Sequence, residues 1–229
     1  PSNIASSVEI ARGDLDVGFA DADVIVERTY CAPTAHQGYV EPHACVVNTA
    51  PGGQIDIWAS SQGHFMVRQY TAKVLGVDLG TIKVTPAEIG GGFGGKTTVY
   101  LEPVAALLSQ QAGRPVKMVM TREDVFRATG PAAASIVRVK VGATRSGHIT
   151  AMDSEVVMGA GAFKGSPSAT GARCMYAPYT CANQKVVALD VVTNTSKTAA
   201  YRAPGGPQAH LGVECVLNEI ADEIGMDPI

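Results

Sequence analysis

Charge and aromatic side chains are scarce in this 229-residue chain: 17% of positions are Asp, Glu, Lys or Arg, 6% are aromatic, and there is one Trp. Lys and Arg are scattered and the formal net charge is −3, so no basic face for nucleic acid or an anionic membrane is expected. No apolar run approaches the ~20 residues of a membrane span. No charged-then-apolar leader opens the sequence, and it begins at Pro1 without Met, so an upstream portion is expected to be missing. The five cysteines (Cys31, Cys45, Cys174, Cys181, Cys215) include no CxxC pair, and the Cys174–Cys181 spacing matches no zinc pattern. An odd count without a disulfide framework points to a reducing compartment, and a cytoplasmic location is expected. Each Cys is expected to be a small buried apolar residue.

Apolar residues make up 46% of the chain, enough for one large or two small cores. Periodicity and punctuation predict strands at 24–30, 44–47, 55–59, 81–85 and 116–120. Further strands are expected at 135–142, 149–158 and 185–194. Helices are predicted at 63–75, 97–112 and 208–224, and the Gly- and Ser-rich stretch 159–171 reads as a loop or a closely packed helix. Hairpin followed by helix occurs twice. The expected fold class is therefore α+β, two hairpin-plus-helix repeats with mixed sheets, with a boundary near residue 130.

The most informative segment is Ile89–Thr97, IGGGFGGKT. Such a run suits neither helix nor strand, but it lets backbone N–H groups approach an anion closely. Gly90, Gly95, Lys96 and Thr97 satisfy the nucleotide P-loop pattern, and Gly90, Gly92 and Gly95 satisfy the dinucleotide turn. The P-loop reading needs a buried apolar strand before the loop, yet residues 81–89 are half polar and include Pro86. The dinucleotide reading needs an acid about twenty residues on, where Pro115 stands. A P-loop-type nucleotide-binding module remains the alternative function.

A third reading uses more of the chain. The glycine segment, Ser60-Ser61-Gln62 upstream and YRAPGGPQ (201–208) downstream lie in one order, supported by GDLDVGFADADVIVE, HQGYVEPHA and GRPVKMVMTRED. Together these motifs resemble the molybdenum hydroxylases, the family of xanthine dehydrogenases and aldehyde oxidases. The resemblance spans nearly all 229 residues.

That resemblance implies a fold of about one lobe of the family's molybdopterin-binding domain, with residues 1–229 forming a partial, first-lobe domain. It implies a molybdenum–molybdopterin cofactor, with a cytosine dinucleotide form left open, and 2Fe-2S and FAD groups on partner domains or subunits. The implied activity is oxidation of an aldehyde or aromatic heterocycle with water as the oxygen source. Gln62 matches the family glutamine whose amide donates to an oxo ligand of the metal. Gly91, Gly92, Phe93, Gly94 and Gly95 match the loop beside the cofactor, with Phe93 walling the site and Gly94 offering its N–H. Arg202 matches the family arginine near the cofactor and substrate channel. Gln62, Phe93 and Arg202 are the near-metal positions, and Gln62 and Arg202 the catalytic ones.

Two departures bear on substrate. Purine-oxidising members carry a Glu where Thr97 stands and a stacking Phe where Pro204 stands, which argues against xanthine. No Cys lies in 90–97, which argues against the carbon monoxide branch. The family's general base is a Glu near the end of the complete subunit, and Glu214 and Glu219 do not match it. The chain is therefore expected to be inactive alone. Its expected partners are the rest of the molybdopterin subunit, iron–sulfur and FAD subunits or domains and a small-molecule substrate, with no nucleic acid and no membrane. His36, Glu41 and His43 in HQGYVEPH do not have metal-ligand spacing; the resemblance implies a structural stretch with some role near the substrate channel.

Overall fold

The structure, a computed structural model, describes residues 2–228. In chain order its elements are β1 (Ile4–Arg12), α1 (Leu15–Ala20), β2 (Val24–Ala32), β3 (Ala44–Thr49), β4 (Ile55–Ala59), α2 (His64–Leu75), a short 3-10 turn (Leu79–Thr81) and β5 (Ile82–Pro86). There follow α3 (Glu102–Ala112), β6 (Val116–Val119), α4 (Arg122–Ala128), β7 (Ser135–Ala143), β8 (Ile149–Gly161), α5 (Ser168–Cys174), β9 (Asn183–Val192) and α6 (Gly206–Ile224). These form an α+β fold with two mixed sheets, as expected.

The chain divides into two compact units. One holds the residues up to Ala35, Ala132–Thr198 and the residues from Ala203 on; the other holds His36–Pro131 and Ala199–Arg202. The units are thus interleaved in sequence rather than successive.

The first unit carries a five-stranded sheet in the order β1-β9-β8-β7-β2, in which only β8 and β9 run parallel. Val137, Val139 and Val141 recur every second residue on β7, so all three face inward, where they are buried. Val213, Val216 and Ile220 of α6 lie in the same core. Each such side chain stabilises by about 1.5–3 kcal/mol on burial. Gly212 lets α6 come close: a Cβ there would sit 3.0 Å from Val139 Cγ2 and 3.1 Å from Val137 Cγ1.

The second unit carries a four-stranded sheet in the order β5-β4-β3-β6. Ala50–Gly53 turns β3 into β4, with the Gly53 N–H donating to Ala50 O at 2.9 Å, and the hairpin registers Val47 against Ile57. β4 and β5 are parallel, which requires a crossover, and α2 supplies it. Cys45, Val47, Ile55 and Ile57 from the sheet, Val67 and Ala72 from α2, and Ala105 and Ala106 from α3 form its core.

Three local expectations are corrected. The helix expected from Thr97 begins at Glu102, with Pro103 in its first turn, and residues 97–101 are irregular. Two short helices were not expected: α1 is capped by Asp14, and α4 by a Thr121/Asp124 capping box. Of the five cysteines only Cys45 and Cys181 are buried; Cys174 and Cys215 are half-buried and Cys31 is exposed. Among the described residues no helix is long and apolar enough to cross a membrane.

Candidate functional site

The sheet of the second unit explains why the first two motifs meet. β4 and β5 are parallel neighbours whose last residues, Ala59 and Pro86, are paired. Their C-terminal ends therefore release two loops side by side, Ser60–Gly63 from β4 and the glycine run from β5. Ligand sites in α/β sheets form at such carboxyl ends.

The loops are joined by short bonds. The Gln62 N–H donates to Lys96 O at 2.8 Å and the Ser61 hydroxyl donates to the same oxygen at 3.1 Å. Gln62 Oε1 accepts the Gly94 N–H at 2.8 Å and the Lys96 N–H at 3.4 Å. Both partners are donors, which fixes the amide's orientation: Oε1 faces the loop, and Nε2 of this exposed residue has no acceptor among the described residues. The expected free donor, the Gly94 N–H, is thus committed to Gln62. Among the described residues the N–H groups of Gly91, Gly92 and Phe93 have no protein acceptor.

Backbone conformation concentrates here. Phe93 has φ 51° and Arg202 φ 28°, in the left-handed region that side chains rarely adopt. The Arg202 N–H donates to Phe93 O at 2.9 Å, so the two unusual residues hold each other. Gly94 has φ 100°, and a Cβ there would lie 2.9 Å from Ala200 O. Phe93 and Arg202 are both exposed at the surface of this unit, Phe93 at 45%. Strain of this kind persists only where neighbouring contacts hold it in place.

A polar layer in the same unit supports the loop. Gln37, 5% exposed, donates from Nε2 to Gly130 O at 3.1 Å and Ala200 O at 2.8 Å, anchoring the segment that ends in Arg202. Tyr39 Oη and His43 Nε2 are 2.7 Å apart, and His36 Nε2 lies 2.8 Å from Thr129 Oγ1. Burial, then the nearby Lys96 charge, pushes His43 down to about 4. Burial pulls the Glu41 carboxyl upward, but hydrogen bonds from Lys96 and the Gly90 N–H outweigh it and hold Glu41 below its usual value. Gln37 and the Glu41–Lys96 contact gave no signal in sequence, because their partners lie far away along the chain.

The structure also removes the P-loop reading. A P-loop lysine reaches the phosphates from a loop that opens a helix. Here the Lys96 side chain is fully buried and paired with Glu41, and the next helix starts at Glu102.

Of the residues expected to face substrate, Thr97 is exposed and its hydroxyl donates to Gly94 O at 3.0 Å. Pro204 belongs to the other unit, half-buried just before Gly205, which caps α6 with φ 87°.

Do these residues fit a molybdenum–pterin group? Among the described residues no group of three His, Cys, Asp or Glu is placed to hold a metal ion. A run of side-chain-free positions with unpaired N–H groups, an outward amide donor and an arginine suits such an anionic, oxygen-rich group.

A glycine loop at the carboxyl ends of parallel strands, with backbone N–H groups left unpaired, is an arrangement suited to an anionic cofactor. The family model for the molybdopterin cofactor-binding domain matches residues 1–229, and the chain belongs to that family. It is 33% identical over 231 residues to a probable hypoxanthine oxidase of Escherichia coli K12, covering 99% of this chain and 24% of that protein. It is 32% identical over 232 residues to the nicotinate dehydrogenase large molybdopterin subunit of Eubacterium barkeri, covering 100% of this chain and 54% of that subunit. Among solved structures, the aldehyde oxidoreductase of Desulfovibrio gigas matches with a TM-score of 0.86 at 25% identity, covering 99% of this chain and 25% of that one. The chain therefore spans between about a quarter and about half of these relatives.

Proposed function

We propose that this chain supplies one side of a molybdenum–pterin site in an oxidoreductase that oxidises an aldehyde or an aromatic heterocycle with water as the oxygen source. The observation that carries the reading is the amide of Gln62, held by Gly94 and Lys96 so that only its donor end is free. A bound molybdenum–pterin group would supply the two-electron redox chemistry that no side chain can perform. The chain's task is then positioning and electrostatics. Gln62 donates to the bound group from a fixed direction. A preorganised donor costs no reorganisation when charge develops. Gly91, Gly92, Phe93, Gly94 and Gly95 form the cradle, Phe93 walls it, and the Arg202 guanidinium steers an acidic substrate or balances negative charge.

Residues 1–229 would form the first part of the full cofactor-binding domain, and the proton-accepting Glu would come from chain outside it. Iron–sulfur and FAD domains or subunits would carry the electrons away. A cytoplasmic location and a cytosine dinucleotide form of the cofactor fit the same reading.

The relatives' names span a purine, nicotinate and aldehydes, so they do not select a substrate for this chain. Thr97 and Pro204 do favour one. Thr97 is short and neutral, with its hydroxyl turned to Gly94 O, and offers no carboxyl to a purine. Pro204 offers no aromatic face, and stacking is worth about 0.5–1.5 kcal/mol beyond area burial. The full-length enzyme is therefore expected to prefer an aldehyde or non-purine heterocycle over xanthine by about 10–100-fold in kcat/KM. The check is kcat/KM for xanthine, hypoxanthine, nicotinate and benzaldehyde with one electron acceptor. Xanthine as the best of the four would refute the assignment of Thr97 and Pro204.

A further inference from the structure

The Lys96 side chain and Glu41 have no part in the function just proposed, yet their contacts lead to Gln62. The Lys96 side chain has no exposed surface, and its Nζ lies 2.6 Å from Glu41 Oε2, 3.5 Å from Pro42 O and 5.1 Å from the Tyr39 ring centroid. The same Glu41 oxygen accepts the Gly90 N–H at 2.9 Å, and the Glu41 N–H donates to Gly90 O at 3.2 Å. Glu41 therefore grips the glycine loop at both ends, through the Gly90 backbone at one and the Lys96 side chain at the other. The Lys96 backbone in turn makes contacts that place Gln62. Its oxygen accepts the Gln62 N–H at 2.8 Å and the Ser61 hydroxyl at 3.1 Å, and its N–H reaches Gln62 Oε1 at 3.4 Å.

We propose that the Lys96–Glu41 ion pair is a positioning clamp that fixes the curvature of the glycine loop and, through the Lys96 backbone, the direction of the Gln62 amide. Its catalytic consequence rests on the reading of Gln62 as a donor to the bound group. Filling space does not require a charge: an apolar side chain of similar length would fill it without desolvating an ammonium and a carboxylate. What the pair adds is direction. The carboxylate accepts from a lysine and a backbone N–H at once, from the two ends of the loop as it is bent here.

The test compares the full-length enzyme with the Lys96→Met/Glu41→Gln double variant, which removes both charges and so leaves no buried charge unpaired. Each is made with Gln62 intact and with Gln62→Ala. Hydrogen exchange over residues 90–97 reads the clamp without reference to activity. The double variant should exchange there about tenfold faster or more, with β3 and β4 unchanged. Turnover reads the coupling. The double variant should lower kcat about tenfold with Gln62 present, with KM moving less than about twofold, and should lower it less than about twofold in the Gln62→Ala background. Lys96→Met alone should speed loop exchange in the same segment if it folds. Unchanged exchange at 90–97 in the double variant would overturn the clamp. Equal kcat losses in both backgrounds would overturn its action through Gln62. If Gln62→Ala by itself left kcat unchanged, the functional reading of Gln62 would fail, while exchange would still decide for or against the clamp.

Discussion

Gly94→Ala in the full-length enzyme should lower kcat by about 10³-fold or more while lowering the melting temperature by no more than about 10 °C. The local cost has two parts. At φ 100° any side chain is strained, at about 1–3 kcal/mol, and the added Cβ would press on Ala200 O and Cβ, each at 2.9 Å. That is small against the 5–15 kcal/mol of a typical domain, so the fold should survive. The loop cannot keep its shape, however. It must shift, and the Gly94 N–H that holds Gln62 Oε1 at 2.8 Å shifts with it. The Phe93–Arg202 backbone bond adjoins the same peptide and should loosen too. A fixed donor is worth about 10²–10³ in rate, and a misplacement of about 1 Å costs a further ~10². Gly76→Ala is the control: its φ is 67° and a Cβ there meets nothing within 4 Å. It should cost about 1 kcal/mol of stability and no turnover. Steady-state kinetics and calorimetry on both variants decide the matter; near-normal turnover in Gly94→Ala would detach the loop from the chemistry.

Gln62→Ala should lower kcat about 10²–10³-fold with a much smaller loss of bound molybdenum. The truncation removes both functions of the amide: the outward donor and the acceptor that holds Gly94 and Lys96. Gln62→Glu separates them. A carboxylate still accepts the Gly94 N–H, so the loop keeps its anchor, but it has no hydrogen to offer. The Glu variant should therefore retain loop order and remain as slow as the Ala variant. Metal-normalised kcat is the relevant quantity. A Glu variant as fast as the native enzyme would mean that Gln62 acts only as a strut for the loop.

The parts of the site carried by local sequence were legible. The glycine run has a composition that a regular element cannot explain, and its resemblance to the family, together with that of Ser60-Ser61-Gln62 and the 201–208 segment in the same order, marked the candidate site. The hairpin at Pro51–Gly53 and the α6 stripe of Val213, Val216 and Ile220 follow from turn chemistry and helical period. What was missed falls into two kinds. Some have local signals: Pro103 marks the start of α3, and Thr121 with Asp124 announces α4. β1 gave none, since it is a sheet edge, exposed at nearly every position, with no alternation to find. The rest is not local at all. Glu41 meets Lys96 across 55 residues and Gln37 meets Ala200 across 163, and only the folded sheet brings such pairs together. The commitment of the Gly94 N–H to Gln62 belongs here too. The motifs predicted both residues, but not that one would bond the other.

The proposed lining of a molybdenum–pterin site by this chain has a direct consequence for what the protein carries. It is tested most directly by measuring molybdenum and pterin in the full-length protein, purified with its partners from molybdenum-replete cells. About one molybdenum and one pterin per chain are expected, and no saturable binding of ATP with magnesium. Protein free of both molybdenum and pterin that binds ATP, and loses that binding in Lys96→Ala, would contradict it.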